Sequence, residues 1–482
     1  MKKITLITSV LLLLLFSCQK GVEKQSSPEE IQTSANKNQD RGHLKQTKEF
    51  SSDVVTQWLN LDLDLLRTPL PAGTSVQGGE RILAYSGIAL YEAVVNGMPA
   101  YQSLNSQLTD FDSQTMPSTE PGKAYHWAAV ANAALAEVTR FLFDTASTST
   151  NLQVKQQRLD KINSKENQLQ NVYATEADAS VINRSIYFGK QVAKKINDWA
   201  NTDGYLLQGS AYTPPPPTPQ QPWLWVPTPP PPTPINPHVE FRRLLVPGSD
   251  NGANIAPFPT YSTTPGSEFY EMANDVYTKS LTISDPQNAE HKNLALYFRD
   301  ANDPGFPGYY GGSGHYVSIL KQVISNSGVS LDIAALAFAK SGITVNDAFV
   351  VGFKKKYAFN LLRPITYIRG LPGHGTWSPL FATPNHPEFP SAHSFHAGGF
   401  LTALADVFGD NFEFTDDTYA DMSTSLGKLH AITFLSFTEL KNAIGESRVY
   451  AGIHYAPSCA KGIQLGEKVA ENVLNTLKFL KE

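Results

Sequence analysis

Residues 214–237 carry thirteen of the chain's 33 prolines, and no other segment constrains the fold as much. Proline fixes φ and has no N–H to donate, so this run can be neither a helix nor a central strand and must be largely polyproline II. Trp223-Leu224-Trp225 sits in its middle, and exposed linkers seldom carry tryptophan. The segment therefore reads as a strap packed on the protein, as long ordered loops of compact proteins tend to be. On both sides of it the pattern is helical. Ile82, Tyr85, Ala89 and Ala93 recur at three and four residues, and so do Ala128, Ala131 and Leu135. Longer helices are predicted over 151–171, 180–200, 266–282, 287–299, 315–327, 330–360, 394–408 and 459–480. Strand-like alternation bounded by hairpin turns is scarce. The expectation is an all-α protein of two packed helical bundles, 51–205 and 260–482, with the proline-rich strap at 206–259 between them and the active site in the C-terminal bundle.

The N-terminus reads as an export signal. Lys2-Lys3 precede a largely apolar run from Ile4 to Phe16, shorter than the ~20 residues of a spanning helix and suited to a signal h-region. Leu15-Phe16-Ser17-Cys18 resembles a bacterial lipobox, so residues 1–18 are expected to be a signal peptide with a lipid anchor at Cys18. Residues 19–50 form a polar tether with too few large aliphatics to fold. The expected location is outside the cytoplasm: a cell-envelope lipoprotein, otherwise periplasmic or secreted. No transmembrane helix is expected in the mature chain, and Cys18 and Cys459, the only two cysteines, are not expected to pair. With 39 basic against 44 acidic residues the formal charge is −5, which excludes a broad nucleic-acid surface. Any anion site must be a local concentration of cations.

Three segments supply one. The first is Lys356-Tyr-Ala-Phe-Asn-Leu-Leu-Arg363-Pro364. Seven residues are two helical turns, so Lys356 and Arg363 are expected on one helix face about 10 Å apart, with Pro364 ending the helix. The second is Pro390-Ser391-Ala392-His393. Ser391 reads as a helix N-cap, where free N–H groups and the helix dipole favour an anion, and His393 is placed to exchange protons there. The third is Ser447-Arg448-Val-Tyr-Ala-Gly452-Ile-His454. A gap of six puts Arg448 and His454 on different faces of a regular helix. They can meet only if Gly452 helps to bend the chain, or if other helices complete the site. Each segment alone also suits a structural role, as a solvated basic helix end or an ordinary cap.

Together and in this order, Lys-x6-Arg-Pro, Pro-Ser-x-His and Ser-Arg-x5-His resemble the superfamily of vanadium-dependent haloperoxidases and type 2 phosphatidic acid phosphatases. Gly314-His315-Tyr316, Asn346-Asp347-Ala348, the stretch from Trp377-Ser-Pro to Thr383-Pro384, and Trp225-Val-Pro-Thr228-Pro are similar to segments of the bacterial haloperoxidases. The resemblance covers roughly residues 75–478. It implies vanadate as cofactor, with His454 bonding vanadium axially. Lys356, Arg363 and Arg448 would neutralise the vanadate oxygens, helped by the Ser391 hydroxyl and the Ala392 N–H. His393 would move protons. The residues agree with this on their own terms, because three fixed cations and a helix N-terminus suit a tetrahedral oxyanion.

Two positions depart from the family pattern. Ala392 stands where glycine is usual, and keeps the N–H. Ser458 stands where an aspartate commonly orients the last histidine, so another acceptor must hold His454, and the sequence does not identify it. Phe353 and His386 align with positions that accompany halide preference, Phe353 where chloroperoxidases carry tryptophan and His386 where bromoperoxidases carry histidine. The expected activity is oxidation of a halide, bromide or iodide rather than chloride, by hydrogen peroxide, with an organic acceptor downstream. The alternative is a phosphate-ester hydrolase like an acid phosphatase, in which His454 attacks phosphorus and His393 protonates the leaving alcohol. A third reading is a non-catalytic oxyanion-binding lipoprotein, against which the presence of both histidines argues.

Overall fold

The computed structural model describes residues 45–67, 78–112, 115–146, 152–207, 212–228, 233–301, 308–311 and 313–482. The signal peptide, the lipobox and the tether as far as residue 44 lie outside the described residues. The periodic segments of the first half form α1 (Asp53–Arg67), α2 (Gly79–Val94), α3 (Trp127–Ala146), α4 (Leu152–Tyr173) and α5 (Ala179–Ala200). The second half holds α6 (Glu268–Thr282), α7 (Ala289–Tyr297), α8 (Gly314–Ser327), α9 (Leu331–Phe359), α10 (Pro364–Arg369), α11 (Ala392–Phe408), α12 (Phe437–Tyr450) and α13 (Ala456–Thr476). Four short strands interrupt it: β1 (Phe414–Asp416), β2 (Ser423–Thr424), β3 (Gly427–Lys428) and β4 (Ile432–Phe434). β1 pairs with β4, and β2 with β3, both antiparallel, with Phe414 opposite Phe434. The architecture is all-α apart from these two ribbons.

The two halves share one core. The most extensive helix contact among the described residues is between α2 and α9, and it depends on glycine at both surfaces. A Cβ on Gly87 would stand 2.6 Å from the Phe338 carbonyl oxygen, and one on Gly342 would stand 2.5 Å from that of Leu83. The backbones can approach this closely only without side chains at the crossing. α9 is 29 residues long and apolar enough to cross a bilayer by composition. Its packing against α2, α11 and α13 buries it instead, and a helix buried all round is apolar all round.

The proline-rich segment is packed, as its tryptophans require. Trp225 is fully buried, and its backbone N–H donates to the Asn360 carbonyl at 2.8 Å. Leu362 N–H donates to the Trp223 carbonyl at 2.8 Å, and Ile235 N–H to that of Asn385 at 2.9 Å. The strap thus grips the chain within the first pocket motif and again between the first and the second.

Three local expectations need correction. Residues 45–50 are folded rather than part of a tether: the buried Thr47 hydroxyl donates to the Val94 carbonyl, and Phe50 accepts from the Leu331 N–H. The helix α12 was absent from the expected set because its inward face carries Lys441, Ser447 and Arg448 among the apolar residues, which masks the period. Lys356 and Arg363 do not share a helix. α9 stops at Phe359, and Asn360 takes a left-handed conformation with φ 48°, which asparagine tolerates. Arg363 is extended before Pro364 and becomes the N-cap of α10, as a residue before proline prefers.

Candidate active site

The break after α9 still brings Lys356 and Arg363 together, through the loop 384–388. Lys356 Nζ donates to the carbonyls of Pro387 and Glu388, each at 2.9 Å. Arg363 Nε donates to the His386 carbonyl at 2.9 Å and Nη2 to that of Pro384 at 3.2 Å. Both side chains are fully buried. One loop therefore fixes both cations by its backbone.

Arg448 and His454 meet because the chain turns at Gly452, with φ 80°. Gly452 N–H donates to Val449 O and Ile453 N–H to Arg448 O, the paired bonds of a Schellman motif that needs glycine at the left-handed position. The turn reverses the chain out of α12 and sets His454 before α13. Arg448 Nη1 donates to the Phe298 carbonyl. Arg363 Nη1 reaches His454 Nε2 at 3.0 Å and the Ile453 carbonyl at 2.9 Å. An arginine N–H can only donate, so His454 Nε2 holds the lone pair and Nδ1 the proton. That proton goes to Glu388 Oε1 at 2.7 Å, which also accepts the Tyr455 N–H at 3.0 Å. Glu388 is the acceptor that Ser458 cannot be. Ser458 is buried beside it, and its carbonyl accepts the Ser391 N–H.

Ser391 is the N-cap of α11, as expected, yet its hydroxyl does not cap the helix. That hydroxyl is fully buried with no partner among the protein's own atoms, and so is Arg448 Nε. Ala392 opens the helix, where the first N–H groups have no intrahelical acceptor. His393 follows, with Nε2 3.3 Å from Asp300 Oδ2. This ion-pair contact favours the proton on Nε2, with Nδ1 as the free base. Tyr316 donates its hydroxyl to the His393 carbonyl at 3.2 Å.

Burial opposes every charge here. It drives Lys356 well below an ordinary lysine, with Arg363 adding to the effect, and brings Arg363 and Arg448 each down to about 10. Burial and then Arg448 hold His393 down to about 4, against the pull of Asp300. Glu388 is pushed up to about 7 by burial, although Lys356 and Arg363 oppose this. The three buried basic side chains face two carboxyls, of which Glu388 resists ionisation and Asp300 alone is held as an anion, so positive charge is in excess. With the orphaned Ser391 and Arg448 donors and the His454 lone pair, that excess fits a tetrahedral oxyanion of high charge, as vanadate or phosphate is.

The structure thus brings Lys356, Arg363, Arg448, His393 and His454 within electrostatic reach of one another, with Ser391 and Ala392 next to His393 at the start of α11. Phe353 and His386 join the edge of this group, with ring centroids 5.2 Å apart and His386 Nδ1 3.1 Å from Arg363 Nη2. Sequence reasoning missed Glu388 and Asp300. Glu388 could have been suspected as the one acid in the proline-bounded stretch before Ser391; Asp300 gave no signal.

Residues 336–481 match the family described as the VCPO second helical-bundle domain, which includes every motif residue. No curated protein matches the chain. Among solved structures, a bacterial vanadium-dependent iodoperoxidase is 26% identical over 90% of this chain and 98% of its own, with a TM-score of 0.76. The apo form of a bacterial vanadium-dependent chloroperoxidase is 17% identical over 85% of this chain and 96% of its own, at 0.58, and shares the fold. A holo form gives 17% over 82% and 90%, at 0.56. The chain therefore has the fold of the bacterial vanadium-dependent haloperoxidases and carries, at 336–481, the VCPO second helical-bundle domain.

Proposed function

We propose that the protein is a vanadate-dependent haloperoxidase that oxidises iodide or bromide in preference to chloride with hydrogen peroxide. The observation that carries this is the convergence of three buried cations, an unpartnered buried serine hydroxyl and a histidine whose Nε2 lone pair is fixed by Glu388. Lys356, Arg363, Arg448, Ser391 and the Ala392 N–H would hold the vanadate oxygens, and His454 Nε2 the metal. When bound, vanadate supplies a Lewis acid that stays oxidised and polarises peroxide toward the halide. The reaction X⁻ + H2O2 + H⁺ → HOX + H2O consumes one proton. His393, oriented by Asp300, is placed to take a proton from incoming peroxide and to return one to the departing oxygen. The similarity to an iodoperoxidase supports the softer halides, as do Phe353 and His386 beside Arg363.

Phosphate-ester hydrolysis is the second reading, and Glu388 favours it. A carboxylate on Nδ1 is what a nucleophilic His454 would need, and Ser458 had put that in doubt. One preparation, assayed with and without vanadate for peroxide-driven iodide, bromide and chloride oxidation and for p-nitrophenyl phosphate hydrolysis, separates the two. Vanadate-dependent iodide turnover is the expected result. Ester hydrolysis that vanadate only inhibits would overturn it.

The same reading includes export and lipidation at Cys18, supported by the basic start, the apolar run and the Leu15-Phe16-Ser17-Cys18 sequence. Metabolic labelling with a fatty acid should mark the native chain and spare Cys18→Ser.

A further inference from the structure

Behind His393 lies a second buried histidine that the reaction above does not use. His315, in the first turn of α8, is 1% exposed. Its Nδ1 is 3.0 Å from Asp300 Oδ1 and its Nε2 is 2.8 Å from Asp416 Oδ2. Both partners are buried, and carboxylates only accept, so both ring nitrogens must carry protons. The ring stacks on Phe298 at 5.0 Å and 18°, which fixes its plane.

We propose that His315 is a positioning residue: an imidazolium clamped between Asp300 and Asp416 that keeps Asp300 an anion and aims it at His393. The proposal rests on the reading of His393 as the acid–base group. Asp300 has its Oδ1 filled by His315 and by the Tyr419 hydroxyl at 3.0 Å, which leaves Oδ2 for His393. Its backbone is held at φ 49°, a conformation that side-chain-bearing residues seldom adopt. The outer end is just as fixed. Asp416 Oδ1 accepts the Thr418 N–H at 3.0 Å, the Thr418 hydroxyl at 2.6 Å and Gln322 Nε2 at 3.3 Å. The result is a chain His393–Asp300–His315–Asp416, anchored on β1 at one end and on α11 at the other.

The surroundings support the charge. A helix N-terminus repels a cation, so α8 itself does nothing to favour it. Burial also opposes it, but Asp300 and Asp416 outweigh burial and push His315 up to about 10. Burial would raise both carboxyls, yet His315 pulls Asp300 and Asp416 below the ordinary range. Tyr297, Tyr309, Tyr316 and Tyr419 face the group as phenols that burial keeps neutral, and Arg448 faces Asp300 from the pocket side. Without the imidazolium charge, two buried carboxylates would face an uncompensated like charge, and one of them would be raised enough to take a proton. His315→Gln should therefore introduce an ionisation that the native protein lacks.

The test has two arms. In cofactor-free protein carrying 15N-labelled histidine, the His315 signals should be those of a doubly protonated ring that does not titrate between about pH 6 and 8.5. In His315→Gln the His393 signals should move. A neutral His315 at pH 7.5 overturns the proposal, and this arm does not depend on halide oxidation. In the vanadate-loaded enzyme, His315→Gln should lower kcat for iodide oxidation about tenfold to a hundredfold, with vanadate affinity unchanged, and add an ionisation to the pH profile. His315→Gln/Asp416→Asn should abolish that added ionisation. An unaltered pH profile in His315→Gln overturns the proposal. Should that variant fail to fold, the double variant decides: lowered kcat at native vanadate affinity supports the clamp, and native kcat overturns it.

Discussion

The pocket contains the same pair twice, a histidine tied to a buried carboxylate, in opposite electrostatic settings. His454 is bonded to Glu388 at 2.7 Å, and burial raises that carboxyl toward 7. His393 Nε2 lies 3.3 Å from Asp300, and His315 holds that carboxyl well below its usual range. The backing group makes the difference. The cations that oppose the burial of Glu388, Lys356 and Arg363, direct their hydrogen bonds to backbone carbonyls and histidine nitrogens, whereas Asp300 has an imidazolium in direct contact. A carboxyl that gives up its charge easily suits a histidine whose task is to present a lone pair to a metal. A permanent anion suits one that must gain and lose a proton while keeping its place.

The most damaging way to break the comparison is His454→Ala. It should abolish vanadate binding and vanadate-dependent halide oxidation while the far-ultraviolet circular dichroism stays native. His393→Ala should keep vanadate, with affinity only modestly reduced, and lose ~10²–10⁴ in turnover, the usual worth of acid–base help. Calorimetry beside a bromide assay reads both, and an equal loss of binding in the two variants would show that the pairs are equivalent after all. The cations come next. Lys356→Ala, Arg363→Ala or Arg448→Ala should each weaken vanadate by two to three decades, since breaking a buried charged pair costs ~3–5 kcal/mol. Native affinity in any of the three would remove that residue from the pocket.

Glu388→Gln sharpens the contrast with the smallest change. The amide oxygen can still accept from His454 Nδ1, so vanadate affinity should fall only about tenfold to a hundredfold. Its larger effect is on pH. A carboxyl near 7 when folded and about 4.3 when unfolded binds its proton more tightly in the folded state, so stability falls as pH rises across that window. Unfolding titrations of the cofactor-free protein from pH 4.5 to 7.5 should show a loss of about 2–3 kcal/mol that Glu388→Gln flattens. Asp300→Asn should not flatten it, because a depressed carboxyl is already ionised throughout.

The sequence carried most of the helices and the cations and histidines proposed for the anion pocket, because both show in local pattern. Periods of three and four residues mark α2 or α9, and Pro390-Ser391 and Gly452 mark their own backbone geometry. What it did not carry were the two carboxylates that differentiate the histidines. Asp300 sits 93 positions before His393 and Glu388 sits 66 before His454; nothing local distinguishes Asp300 from a surface acid, and only the flanking prolines single out Glu388. The apparent helical spacing of Lys356 and Arg363 misled for a related reason. The seven-residue interval was real, but Asn360 and Pro364 set the backbone between them, and the loop 384–388 brought the side chains together.

The strap has a thermodynamic role that its hydrogen bonds alone do not express. Its contacts at Asn360, Leu361 and Leu362 hold the chain just past the end of α9 out of helix and on course to Arg363. A flexible segment would give up much conformational freedom in making those contacts. A segment with thirteen prolines has little to give up, because its φ angles are already restricted in the unfolded chain. The strap is thus restricted before it docks, and the pocket is assembled at a lower entropic cost. Replacing Trp225 would loosen a contact, but replacing the prolines with alanines would raise the entropic cost of assembling the anion site while leaving every side chain of that site in place.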